Sequence, residues 1–309
     1  GAAVALTASA AAGVTLLEEC ESAYQSLRVV EARRWGAPVR LLQVNEGLDS
    51  FQSVWSEQPG LLGQGYYYDL FALPAWWSGA PKRWKVLVLG LGAGTAFRVL
   101  EGASPQHCEL ELWGVEIDPA VVAAGVRRFE LKPDAPRVHV LSGVDCRAAL
   151  AVLPRDFDLI VLDAYAHQVE IPFHLATEEA FAEMRAHLAP GGWLSINVGG
   201  FGFDDPVVAA VGATAASVFT EATVAYRVPR SRNFVIFARR DAQVPTPDGD
   251  AFWFAGDVAT RQLPSLSLPT SVHRFDRNDG VVLSDDRSAL DQLQQRSLEQ
   301  GRARLASNR

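Results

Sequence analysis

Val86-Leu87-Val88-Leu89-Gly90-Leu91-Gly92-Ala93-Gly94-Thr95 is the stretch that decides the fold. Four consecutive branched apolar residues predict a strand buried on both faces. The glycines at 90 and 92 let the backbone turn sharply after it and approach a ligand without Cβ interference. A helix opens next, and its N-terminus offers N–H groups and partial positive charge. Working outward, apolar runs at 110–115, 138–141, 159–162 and 193–198 alternate with helical stretches at 96–101, 120–129, 146–153, 177–187 and 206–219. That alternation predicts a parallel sheet with helices on both faces. Runs at 222–228 and 233–238, split by residues 229–232, predict an antiparallel hairpin that closes a mostly parallel, seven-stranded sheet. Residues 188–193 contain Pro190-Gly191-Gly192, a tight turn feeding the fifth strand.

Four segments follow. Residues 1–17 are apolar and Ala-rich, without Met, a basic leader or the roughly 20 residues that span a bilayer. They read equally as the end of a membrane segment, a trimmed signal peptide or a buried helix. Residues 18–80 show short alternating runs at 27–30 and 39–44, punctuated by Gly36, Pro38 and Gly47, which predicts a small β-rich domain of hairpins. Residues 81–240 are the Rossmann-like domain. Residues 241–309 form an extension that is first Pro- and Ser-rich and then helical over about 287–306.

The composition narrows the partners. Net charge is −8, and Lys and Arg are scattered, so no basic stripe prepares the chain for nucleic acid or anionic lipid. A small cationic ligand suits the balance better. Cys20, Cys108 and Cys146 cannot pair fully and lack C-x-x-C spacing, and the six histidines lack paired ligand spacing, so no metal is expected. No G-x-S-x-G supports a serine nucleophile.

Three carboxylates stand where the parallel strands should end. Glu116, in Val115-Glu116-Ile117-Asp118-Pro119, can accept from both hydroxyls of a ribose, with Ile117 beside it. Asp145, after the third strand, can accept from an adenine amino group, with the neighbouring Cys146 backbone reading the ring; it can also serve as an N-cap. Asp163 closes the fourth strand, where it holds an ammonium or orients an attacking amine, or is simply solvated. A dinucleotide fingerprint wants glycine where this chain has Thr95, so the glycine pattern points away from a nicotinamide dinucleotide and toward donors of the S-adenosylmethionine type. The α/β unit is thus expected to have the Rossmann-like class I methyltransferase fold.

At this point the sequence resembles the spermidine synthase family. The order of glycine turn, V-E-I-D, Asp145-Cys146-Arg147, D-L-I-V-L-D ending at Asp163, and L-x-P-G-G-W carries the resemblance over residues 18–240. Ser22-Ala23-Tyr24-Gln25-Ser26-Leu27-Arg28-Val29 is similar to the family's S-x-Y-Q strand, and Gln52 and Tyr67-Tyr68-Asp69 fall at its donor-contacting Gln and its Y-H-E segment. Ile171-Pro172-Phe173-His174-Leu175-Ala176-Thr177 and Leu283-Ser284-Asp285-Asp286 resemble bacterial spermidine-synthase-like proteins, many of them fused to membrane domains. The resemblance implies a homodimer and a nucleoside site of Gln52, Gly90, Gly92, Glu116, Ile117, Asp145, Cys146 and Asp163. The sequence departs from the family at Ala166, where the second Asp of D-x-x-D stands, and at Gly63-Gln64-Gly65, where it has an Asp-Glu pair.

With that Asp absent, Tyr165, His167, Glu170 and His174 are the candidates for the base, Asp163, Tyr165 and His167 forming the expected catalytic set. The missing Asp tilts the expectation to methyl transfer from S-adenosylmethionine onto a small acceptor such as an amine. Aminopropyl transfer from decarboxylated S-adenosylmethionine is the alternative, and a catalytically inactive nucleoside-binding module the third reading. A methyl donor's carboxylate wants amides or a cation near Gly90, whereas the decarboxylated donor's lone ammonium wants carboxylates. The expected location is cytoplasmic, with room for a membrane tether before Gly1.

Overall fold

The computed structural model describes residues 13–34, 36–45, 51–63, 65–165, 171–219, 223–245, 268–287 and 289–307. The alternating runs of the N-terminal region form β1 (Thr15–Glu21), β2 (Ser26–Arg34), β3 (Ala37–Val44) and β4 (Ser53–Ser56), an antiparallel sheet in that order. β1 begins inside the segment expected to precede this unit.

The second sheet contains β5 (Arg83–Leu89), β6 (Glu109–Glu116), β7 (Val138–Ser142), β8 (Phe157–Leu162), β9 (Leu188–Gly199), β10 (Thr223–Arg227), β11 (Asn233–Arg239) and β12 (Val272–Arg274). Their spatial order is β12-β10-β11-β9-β8-β5-β6-β7. β5 to β9 run parallel, and β11 and β10 form the expected antiparallel hairpin on β9. The sheet is one strand wider than the sequence suggested, because β12 from the C-terminal extension pairs with β10. The Pro190-Gly191-Gly192 turn is absorbed into β9 as an irregularity: Phe157 faces Leu188 and Leu159 already faces Trp193, with Gly191 at φ 74°.

Between the strands lie α1 (Leu73–Trp77), α2 (Thr95–Ala103), α3 (Pro119–Arg128), α4 (Cys146–Leu150), α5 (Glu178–His187) and α6 (Pro206–Val218), followed by α7 (Leu290–Ser307). Successive strand residues point to opposite faces. Val86, Val88, Leu159 and Val161 join a core with Phe97, Trp77 and Trp193, while Leu87, Leu89, Ile160 and Leu162 join one with Phe181, Met184 and Val211. Both faces are therefore dry, as the unbroken apolar runs require. α7 packs on the body: Leu290 and Leu293 enter the second core, and Ser297 Oγ donates to Asp205 Oδ2 at 2.6 Å.

β5 pairs with β6 on one side and β8 on the other, so the chain leaves and returns on opposite sides and opens a crevice beyond the strands' carboxyl ends. The N-terminal sheet closes over it. Leu27, Val29, Leu42 and Val44 pack on Val121 and Ala124 of α3. Ser53 Oγ accepts from the Ala93 amide at 2.9 Å, and Thr95 Oγ1 exchanges two 2.9 Å hydrogen bonds with the Val54 backbone.

Candidate active site

Register brings the site together. Leu89 faces Val115 and Leu162, Val115 faces Leu141, and Leu162 faces Ile196. The next residue of each strand therefore comes level at one edge: Gly90, Glu116, Ser142, Asp163 and Asn197. A cavity of about 700 Å³ opens there. Gln52, Gly90, Gly92, Glu116 and Ile117 line it, together with Asp145, Cys146, Asp163 and Tyr165. His167 and Glu170 lie outside the described residues. Among the described residues, every member of the expected nucleoside site and catalytic set lines this one crevice.

The glycine turn is shaped by the protein on every side. Gly90 has φ 88°, and a Cβ there would stand 2.5 Å from the Asp163 carbonyl oxygen, so glycine is what lets the end of β8 lie against the turn. Its amides are all engaged. Those of Gly90 and Leu91 donate to Val115 O at 3.0 and 2.9 Å, and that of Gly94 to Leu91 O at 3.1 Å. Gly92 N donates to Glu116 Oε2 at 2.8 Å, and Ala93 N to Ser53 as described.

Glu116 is almost fully buried, which raises its pKa against the pull of the amides it accepts from, Asp118 N at 3.0 Å and Gly92 N. Each oxygen accepts one of these bonds and keeps a second lone pair, a pair of acceptors side by side facing the cavity. Asp118 itself is turned away: it caps α3 through Ala120 N and accepts from Ser22 Oγ at 2.6 Å, tying the Ser22–Gln25 turn over the site.

Of the two roles foreseen for Asp145, the structure shows the N-cap, and the side chain also lines the cavity. Oδ1 caps α4 by accepting from the amides of Arg147 and Ala148, and Oδ2 lies 2.9 Å from His174 Nε2. Burial pushes this carboxyl up, but the Ala148 amide, His174 and the Arg147 amide outweigh it and hold it below the usual carboxylate range. An ionised carboxylate only accepts, so Nε2 carries the proton. Cys146 is buried, which drives its thiol pKa up and leaves it an inert wall.

Asp163 keeps some surface toward the cavity, yet the protein around it is dense enough that burial pushes its carboxyl up to about 7. Oδ1 accepts from Asn197 Nδ2 at 2.8 Å and Oδ2 from the Tyr67 hydroxyl at 3.1 Å. Tyr67 stacks on Tyr68 with centroids 4.1 Å apart, and the Tyr68 hydroxyl donates to Gln52 O at 2.8 Å. Tyr165, expected among the catalytic groups, donates its hydroxyl to Asn197 O at 2.8 Å, and burial raises its pKa strongly. Both facts work against its taking up a proton. Asn197 went unnoticed in the sequence; a carboxamide inside an otherwise apolar strand is the signal that marks it, since a buried amide needs partners. Among the aromatic residues between positions 66 and 77, Trp77 packs against Trp193, Tyr226 and Phe237 in the core, while Tyr66 and Tyr67 face the cavity.

A doubly covered, mostly parallel sheet, a glycine turn bonded to the next strand's terminal Glu, and acids at three strand or helix ends define a Rossmann-like α/β domain with an acidic crevice. No family model matches the chain. It is 28% identical over 308 residues to the probable polyamine aminopropyl transferase of Bifidobacterium longum, spanning 92% of this chain and 64% of that protein's length. The structure of a probable spermidine synthase from Corynebacterium glutamicum superposes with a TM-score of 0.68 at 23% identity, over 88% of this chain and 98% of the other. That of spermidine synthase from Thermotoga maritima gives 0.57 at 17% identity, over 84% and 81%. The chain thus shares the fold of these spermidine synthase structures and is similar in sequence to a probable polyamine aminopropyl transferase, of whose length it spans less than two thirds.

Proposed function

We propose that the protein is a transferase that moves an aminopropyl group from decarboxylated S-adenosylmethionine to a small amine. One observation carries the choice of donor. The five amides from Gly90 to Gly94 are all engaged within the protein, so the turn has none to offer a donor carboxylate, while Asp163 presents a carboxylate beside it. A donor ending in an ammonium suits that arrangement, and the name of the Bifidobacterium relative agrees. The tilt to methyl transfer rested on Ala166 alone and gives way to this.

In this reading Glu116 accepts from the ribose hydroxyls with its second lone pairs, Asp145 faces the adenine edge, and Gln52 and Asp163 hold the aminopropyl end. The amine's lone pair forms the new N–C bond as the C–S bond breaks and its electrons pass to sulfur. The products are neutral 5′-methylthioadenosine and a secondary ammonium, which returns a proton to solvent. Positioning dominates such a displacement, because a neutral thioether leaves readily.

The test incubates the protein with each donor and a panel of amines and reads the products by mass spectrometry. A gain of one aminopropyl group is expected. A gain of one methyl group sinks the donor choice, and no gain despite 5′-methylthioadenosine binding marks a binding module. The family resemblance also supports a homodimer, which light scattering checks. Among the described residues, no helix is long and apolar enough to cross a membrane. A tether would have to come from elsewhere.

A further inference from the structure

The charges around the cavity are sorted along the sheet edge. Asp145 follows β7, Glu116 ends β6 and Asp163 follows β8. Beyond β8 come β9, β11 and β10, and the turn joining β10 to β11 puts Arg230 and Arg232 on the cavity lining. That turn is fastened to the reacting end of the site. Asn233 Nδ2 donates to Asn197 Oδ1 at 2.9 Å, and Asn197 in turn donates to Asp163. Ser231 Oγ lies 2.6 Å from Asn233 Oδ1, and Arg230 takes a left-handed backbone, φ 60°, to make the turn. From the N-terminal sheet, Arg34 reaches the same cavity, its guanidinium 4.8 Å from the Phe51 ring centroid. It also lies close enough to Tyr66 to oppose the rise that burial imposes on that phenol.

A donor laid from Asp145 to Asp163 fills the acidic half, so an acceptor enters from the side carrying guanidiniums. A simple diamine would bring a second ammonium toward them, a like-charge approach that costs affinity. A carboxylate there would find planar, permanently charged donors built for it. Resting on the transfer reading above, we infer that the acceptor is an amine that also bears a carboxylate, held by Arg34, Arg230 and Arg232 while its amine faces Asp163. The displacement is the one already written, with the carboxylate unchanged.

The experiment pairs acceptors of equal length, ornithine with putrescine and lysine with cadaverine, and adds O-phosphoethanolamine against ethanolamine as a phosphate arm. With decarboxylated S-adenosylmethionine as donor, kcat/KM is expected to favour each amino acid over its diamine by roughly tenfold, the scale of a few partly exposed charge pairs. The Arg34→Gln/Arg232→Gln double variant should lose that preference while binding 5′-methylthioadenosine like the parent. Titrating the amines into protein loaded with 5′-methylthioadenosine reads the same preference without turnover. Equal or better use of the diamines overturns the inference and leaves aminopropyl transfer standing. A preference confined to O-phosphoethanolamine, or binding of none of the amines, overturns it too. Failure of the parent to bind 5′-methylthioadenosine strikes the underlying reading instead.

Discussion

The two halves of the crevice are made in different ways. At the β5–β7 half, each acid is held by backbone amides just beyond the strand ends: Glu116 by Gly92 after β5 and Asp118 after β6, Asp145 by Arg147 and Ala148 of α4. At the β8–β11 half, Asp163 is held by side chains from distant elements, Tyr67 and Asn197, and the cations come from β2 and the β10–β11 turn. The first half is a local product of strand, turn and helix, and its acids come with the fold's own strand ends. The second is assembled by tertiary structure and can change its charge without disturbing the strands, so specificity belongs there.

The largest expected effect tests the first half. Glu116→Gln should weaken 5′-methylthioadenosine by more than about 100-fold in calorimetry, since two hydrogen bonds to a charged acceptor are worth about 1.5–3 kcal/mol each. The amide keeps one acceptor for the neighbouring N–H groups, so thermal unfolding should show a folded protein. Unchanged affinity would put the nucleoside elsewhere and dissolve the comparison.

Asp163→Asn comes next and separates the halves. Affinity for decarboxylated S-adenosylmethionine should fall about 10- to 100-fold, the loss of one charge-assisted contact, while 5′-methylthioadenosine, which lacks the ammonium, should bind within about threefold of the parent. Equal losses for both ligands would mean Asp163 serves the nucleoside. The same substitution has a stability signature. A carboxyl raised to about 7 in the folded protein keeps its proton longer than in the unfolded chain, so its contribution is fully present below about pH 4 and is lost as pH rises through 7. Asp163→Asn should therefore unfold at a higher temperature than the parent at pH 8 and at a similar one at pH 4.

The pH profile of binding sharpens the division further. Donor binding needs Asp163 ionised, so its affinity should fall about tenfold per unit as pH drops below 7, a limb that Asp163→Asn removes. 5′-Methylthioadenosine should lack that Asp163-dependent limb. Its persistence in the variant would assign the proton to another group.

The division also explains what the sequence disclosed. The strands from Val86 to Ile196, the hairpin at β10–β11 and the first-half acids were legible because strand, turn and acid are contiguous in the chain. β12 was not, because three residues after a long Pro- and Ser-rich stretch carry no periodicity. Tyr67 was marked only by the resemblance of its segment, and tertiary structure alone aims its hydroxyl at Asp163. Arg34 and Arg232 sit 198 positions apart and read as scattered surface charge. Asn197 alone carried a local signal, a carboxamide in an apolar strand.

The smallest expected effect falls on His174, the one place where the first half borrows a distant side chain. Its Nε2 steadies the Asp145 oxygen that the α4 cap leaves over, and that oxygen retains a lone pair for an adenine amino group. His174→Gln can replace the donor from a slightly different position, so 5′-methylthioadenosine should weaken only about threefold, the scale of one partly exposed hydrogen bond. The informative quantity is the ratio of 5′-methylthioadenosine to 5′-methylthioinosine affinity. The inosine ring presents an oxygen where adenine presents an amino group, so the parent should prefer adenine by about tenfold or more. In His174→Gln the ratio should persist, and in Asp145→Asn it should collapse, because the carboxamide can turn its nitrogen to the inosine oxygen. If His174→Gln erases the ratio while Asp145→Asn keeps it, the histidine reads the base, and both halves depend on distant side chains.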